Sequence, residues 1–256
     1  MKPRIKLASA TTPDGQEISL FQHDRDFSII VGGHDLMHSR RHESELQLAI
    51  LACSHMTGKK QASVLIGGLG MGYTLRQTLD ILNENSQVVM GELMGCVVEW
   101  NQQFLGELNN HPLRDPRVVL NQGDVIDLIS GSTDRFDSIL LDIDNGPEAM
   151  SNAANSRLYG YQGILACKTA LRDKGCLAVW SAKPNKPFEH QVMDCGMHIH
   201  RYRVPAHKGK NASSHFIWIA SEELRHLPPD GSPSIKSSKT KKTKPGYTKQ
   251  SVWKRK

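Results

Sequence analysis

The sequence predicts an α/β protein built on a mainly parallel sheet, and three observations carry that expectation. Val64-Leu65-Ile66 is a short apolar run halted by glycine, after which Leu75, Leu79 and Leu82 recur at helical spacing. The stretch therefore reads as buried strand, glycine turn and helix. Further short apolar runs follow at Gln87 to Met90, Val118 to Leu120 and Phe136 to Leu141, and an acid stands just beyond each: Glu92, Asp124 and Asp142. Lastly, Ile199 to Val204 and Phe216 to Ala220 are strands joined by a polar, glycine-containing loop, a link short enough to make an antiparallel pair at a sheet edge.

Alternating strands and helices closed by such a pair give a Rossmann-like sheet of the class I methyltransferase type. Ahead of it, Glu17 to Gln22 and Phe27 to Val31 alternate as strands around the polar turn His23-Asp24-Arg25-Asp26, which predicts a small N-terminal β-hairpin. Ser39 is placed to cap a helix in which Leu46, Ile50 and Cys53 share a face. Within the sheet, Val97, Val98, Trp100 and Leu105 belong to the helix after Glu92, and Leu158 to Leu171 reads as another helix. Cys176 to Trp180 is a strand, and Phe188 to Cys195 is a short helix stopped by Gly196. From Pro228 onward Pro, Ser, Thr and Lys dominate, a composition that cannot build a core and predicts disorder. The expected division is an N-terminal hairpin and helix over 1–58, a nucleoside-binding catalytic domain over 59–222 and a disordered basic tail over 223–256.

The charge is unevenly spread. Lys236 to Lys256 carries nine Lys/Arg and no acid, more than the whole formal charge of +6, so residues 1–235 are net −3. That tail is a candidate for weak contact with polyanions such as RNA. The five cysteines are scattered and never spaced C-x-x-C, which argues for reduced thiols and against a zinc site. His38 and His42 stand four apart beside Glu43, but no second histidine pair has ligand spacing, so a metal is not expected. No apolar run approaches the roughly 18 residues of a membrane span, and the first residues hold too short an apolar stretch for a secretory signal. A soluble, cytoplasmic protein with no membrane contact is the expectation.

The candidate site lies at the carboxyl ends of the strands, where open α/β sheets take ligands. Gly68, Gly70 and Gly72 alternate as G-x-G-x-G, letting the backbone turn tightly at a helix N-terminus. Glu92 follows about twenty residues later, where an acid can accept from both ribose hydroxyls. Asp124 either receives an adenine amino group or caps the helix that follows it. Asp142 and Asp144, in the run D-I-D-N-G-P, are grouped carboxylates at the end of the strongest strand and read as functional rather than structural.

In order and spacing these residues resemble the spermidine synthase family of polyamine aminopropyltransferases across roughly Phe27 to Ala220. The matching segments are I-G-G at Ile66 to Gly68, L-R at Leu75-Arg76, E-L and V-V within Glu92 to Val98, and D-P-R-V at Asp115 to Val118. They continue with G-D at Gly123-Asp124, F-D-x-I-L-L-D at Phe136 to Asp142, G-P at Gly146-Pro147, and L-Y then A-L-x-x-x-G within Leu158 to Gly175. The resemblance implies decarboxylated S-adenosylmethionine as co-substrate, or S-adenosylmethionine itself as in methyltransferases of this fold. It also implies a small-molecule amine acceptor and a homodimer. Glu92 would hold the ribose, Asp124 the adenine, and the glycine turn the methionine-derived part. Asp142 and Asp144 would orient and deprotonate the amine, with Tyr159 lining the same pocket.

The chain departs from the family pattern where the substrate is decided. G-G-G-D-G-G is here G-G-L-G-M-G, so Gly70 stands in place of an acid, and Met94 replaces the acid of E-I-D. D-S-S-D-P-x-G-P is shortened to D-I-D-N-G-P, and the Gln and Tyr that help hold the polyamine have no clear counterparts. Bacterial spermidine-synthase-like proteins with D-[IV]-D-N-G-P and A-V-W-S segments are a closer likeness. The leading expectation is aminopropyl transfer to a diamine or polyamine, with methyl transfer to RNA or protein as the alternative.

Overall fold

The computed structural model describes residues 3–143, 146–149, 157–209, 213–229 and 232–233. Its centre is a sheet of order β12-β10-β11-β9-β8-β5-β6-β7. Strands β5 (Ser63–Gly67), β6 (Gln87–Glu92), β7 (Val118–Gln122), β8 (Phe136–Leu141) and β9 (Leu171–Ser181) run parallel. Strand β11 (Ser214–Ser221) pairs antiparallel with both β9 and β10 (His198–Pro205). The chain winds outward from β5 in both directions, so the crevice at the switch point opens at the carboxyl ends of β5 and β8.

Period-two alternation separates two layers. Val64, Ile66, Val88, Met90, Leu140 and Ala178 face one apolar cluster, while Leu65, Val89, Ile139, Leu141, Leu177 and Val179 face the other. The first cluster is closed by α1 (Glu43–Cys53), α2 (Tyr73–Ile81) and α3 (Gly95–Trp100). The second is closed by α4 (Val125–Ser130), α5 (Tyr161–Ala170) and α6 (Lys186–Asp194). Leu75, Leu79 and Leu82 are all buried, as their spacing predicts.

The N-terminal region is more than a hairpin. The two expected strands, β2 (Glu17–His23) and β3 (Asp26–Val31), are the middle of a four-stranded antiparallel sheet flanked by β1 (Ile5–Thr11) and β4 (His34–His38). Ile18, Leu20 and Ile29 join the first cluster beside Leu48 and Leu75. At about 1.5–3 kcal/mol for each fully buried aliphatic side chain, this contact ties the small sheet to the main one.

Two local expectations change. Ser39 does not cap α1: its hydroxyl accepts from the Phe27 N–H at 2.9 Å and ties the open end of the β3–β4 hairpin, while His42 occupies the cap position without a side-chain hydrogen bond to the helix. The buried stripe of α1 is Leu48, Ala49, Ala52 and Cys53, whereas Ile50 is exposed. At the other end, order continues past residue 223. Leu227 is buried, the Tyr202 hydroxyl donates to the Pro228 carbonyl, and Ser232–Pro233 forms the short strand β12 against β10. A proline-rich composition does not prevent one leucine from docking. The lysine-rich remainder lies outside the described residues.

Candidate active site

Backbone hydrogen bonds stitch the strand ends together. Gly68 N–H donates to the Gly91 carbonyl, Asp142 N–H to Gly67 and Gly123 N–H to Glu92, each at 2.9 Å. Glu92 is buried, and its two carboxylate oxygens accept from the N–H groups of Leu69 (2.8 Å) and Met94 (2.7 Å). The acid thus holds the glycine turn in place.

Each glycine of that turn has protein close to where a Cβ would stand. Gly68 has φ +92°, and a Cβ there would lie 2.1 Å from the Asp142 carbonyl oxygen, so only glycine lets the β5 and β8 loops touch. Gly70 faces the Met37 side chain of β4, and Gly72 caps α2 against Asn101. Asn101 begins a stretch of π-helix and donates to the carbonyls of Gly70 (2.8 Å) and Val97 (2.9 Å). Such π-turns recur where a helix must carry a functional side chain off its regular path.

Beside this turn lies a cavity of about 200 Å³. Its walls come from β4 (Asp35, Met37, His38), α1 (Glu45), the end of β8 (Asp142), β9 (Trp180) and β11 (His215), with Arg41 at its side. Asp142 accepts from the Thr74 hydroxyl at 2.6 Å. Burial raises the Asp142 carboxyl above its ordinary range, and the Thr74 hydrogen bond only partly offsets this. Glu45 is raised as well, first by burial and then by the Asp142 charge. Two carboxyls set close together inside a cavity, both pushed toward the protonated form, are a disposition typical of functional sites. His215 and His38 are both lowered, chiefly by burial, with Arg41 adding to the effect.

Residues 42–201 match the model of the spermine/spermidine synthase domain. The chain belongs to that family. Named relatives include a polyamine aminopropyltransferase of Saccharolobus solfataricus, 24% identical over 64% of this chain and 50% of the relative. A second, from a Synechococcus strain, is 27% identical over 58% of this chain and 46% of its own length. The chain therefore spans about half the length of the relatives it matches. The fold is shared with solved structures of spermidine synthase, one in complex with the transition-state analogue AdoDATO and one from Thermotoga maritima. Each has a TM-score of 0.67, at 17% and 18% identity, covering 88% of this chain and 76% of theirs.

Within this family member the expected site residues divide. Gly68, Glu92 and Asp142 come together at the ends of β5, β6 and β8, and Gly70 and Gly72 lie in the same turn. Asp124 caps α4, accepting from the Ile126 N–H at 3.0 Å, the structural one of its two roles. Tyr159 is buried in the second apolar cluster, edge-on to Phe188 at 6.0 Å between centroids, and is not part of the cavity lining. Asp144 lies outside the described residues. Glu45, Trp180 and His215 were not anticipated. Glu45 was nonetheless signalled: it stands three, four, seven and eight residues before Leu48, Ala49, Ala52 and Cys53, an acid at the head of a buried helical stripe. His215 carried no local signal, because it reaches the cavity only through the return of β11.

Proposed function

We propose that this protein transfers an aminopropyl group from decarboxylated S-adenosylmethionine to a diamine or polyamine. The observation that carries this reading is the acid-walled cavity at Asp142, set against the Glu92-held turn within the family domain. Glu92 would receive the ribose hydroxyls, and the cavity would hold the acceptor. The acceptor ammonium gives a proton to a carboxylate, Asp142 or Asp144. The freed lone pair attacks the methylene carbon bound to the sulfonium, and the carbon–sulfur bond breaks with its electron pair passing to sulfur. Neutral methylthioadenosine and an extended, protonated amine result. The protein's main contribution is to align donor and acceptor and to take up the proton.

Incubation of the purified protein with decarboxylated S-adenosylmethionine and a series of diamines tests this by release of methylthioadenosine. One observation favours a second reading, methyl transfer. Gly70 brings no acid to an ammonium and packs against Met37, and a turn at a helix N-terminus that carries no acid of its own suits the carboxylate of intact S-adenosylmethionine. Release of S-adenosylhomocysteine from that donor, with no methylthioadenosine from any diamine, would select it.

A cytoplasmic location is consistent with five free cysteines, and no helix among the described residues is long and apolar enough to cross a membrane. A homodimer remains part of the proposal on family habit. For the nine cations of Lys236 to Lys256 we propose salt-dependent RNA contact. Deleting them should abolish retention on RNA at low salt, and unchanged retention would refute that role.

A further inference from the structure

The transfer reading assigns proton uptake to the aspartates after β8, yet the cavity that Asp142 borders is also lined by a carboxyl from a different element, Glu45. We infer that Glu45 of α1 is an acceptor-binding residue, holding the ammonium of a cationic amine in the cavity opposite Asp142. The inference rests on the transfer reading for the identity of the cavity.

The placement of Glu45 is built, not incidental. Ser44, fully buried, donates its hydroxyl to Glu45 Oε2 at 2.6 Å, and its Oγ lies 3.0 Å from His215 Nδ1. With the serine proton committed to Glu45, His215 must donate through Nδ1, so a chain of hydrogen bonds from β11 orients the carboxyl. The other oxygen, Oε1, has no side-chain partner among the described residues. Trp180 adds an aromatic wall, a surface that suits an alkylammonium, and its indole N–H is buried without an acceptor among the described residues.

The surrounding charges agree with a cation guest. Asp142 presses on Glu45 from the end of β8 and the two ionise together only at a cost, which a cation between them removes. The other titratable groups around Glu45 are Asp35 and His38 on β4, His215, and Tyr73 on α2, whose hydroxyl donates to the Ser39 carbonyl. Arg41 lies at the side of the cavity, and its charge acts on His38 and His215. Entry of an ammonium should therefore ionise the protonated carboxyl and release a proton to solvent.

Titration calorimetry of the full-length protein with putrescine as probe, in buffers of different ionisation enthalpy at neutral pH, reads that proton directly. Wild type should release a substantial fraction of a proton per putrescine bound, and Glu45→Gln should release little. The variant should bind putrescine 10–100-fold more weakly, the range for losing a hydrogen bond to a charged group, with methylthioadenosine affinity unchanged. Glu45→Asp should restore part of the affinity. Equal putrescine affinity and equal proton release in wild type and Glu45→Gln would overturn the inference while leaving the transfer reading intact. Glu45-dependent binding without methylthioadenosine formation would uphold Glu45 and remove the transfer reading. No binding of putrescine by wild type would overturn both.

Discussion

Strand β8 has an acid at each end, Asp137 buried and Asp142 half-buried, and the protein treats them in opposite ways. Asp137, near the start, accepts from Lys59 and Arg172 and from the backbone N–H of Ser63, so its charge is met on three sides. Asp142, just past the end, has among the described residues one hydroxyl donor, Thr74, and a second carboxyl, Glu45, as its electrostatic neighbour. Among the described residues, only Asp137 has its charge met by cations. An acid left short of partners at the carboxyl edge of a parallel sheet is placed for a ligand that brings the missing charge, whereas the fully paired acid at the opposite edge serves the fold.

The largest effect expected from this contrast is on activity. Asp142→Asn should lower the rate of methylthioadenosine release by roughly 10²–10⁴-fold, the usual worth of a positioned acid–base group, with a melting temperature equal to or above that of wild type. A large loss of stability instead would make Asp142 a second Asp137.

Next in size is the loop contact that connects the two acids' strand to the nucleoside turn. Gly68→Ala places a Cβ against the Asp142 carbonyl at φ +92°, and should cost about 2–4 kcal/mol in denaturant unfolding through strain and displaced backbone. An unchanged unfolding midpoint would mean that the loops do not meet this closely.

Asp137→Ala should cost about 2–3 kcal/mol, chiefly from the orphaned Ser63 N–H, and little activity per folded molecule. The two cations are each about two-fifths exposed, so their loss of a partner is screened. Glu92→Ala should weaken methylthioadenosine binding by roughly 2–3 kcal/mol in calorimetry.

The smallest effect separates the acids by pH. The raised carboxyls of Asp142 and Glu45 retain protons that the unfolded chain gives up near pH 4. Their contribution to stability is therefore full below that pH and is lost as pH rises through the raised native values. Asp115 is the reverse case: the Arg117 hydrogen bond lowers it to about 2, so its contribution holds above the ordinary carboxyl range and disappears as pH falls toward 2. Melting curves across pH should lose their decline on the upper side in Asp142→Asn and soften their acid limb in Arg117→Gln.

Much of this protein was determined by local sequence. Apolar runs ending in glycine or acid specified β5, β6 and β8, since a strand buried on both faces needs a short apolar run and a polar stop; β7 was legible by the same pattern although it lies exposed at the sheet edge. The spacing of Leu75, Leu79 and Leu82 specified α2 for a similar reason. Glu92 and Asp142 were legible because acids directly after buried strands have few structural uses. Other features depended on contacts between distant segments. Whether Asp124 caps a helix or faces a ligand, and whether Tyr159 lines a pocket or fills a core, depends on how neighbouring layers close over them. The phase of α1 was decided by the sheet it packs on, since its apolar residues fit more than one face, and that phase is what turns Glu45 into the cavity. His215 joins it only because β11 runs back beside β9, bringing residues 44 and 215 within hydrogen-bond reach. Local propensity acts over a few residues, and no pattern on that scale encodes a contact across 171 positions.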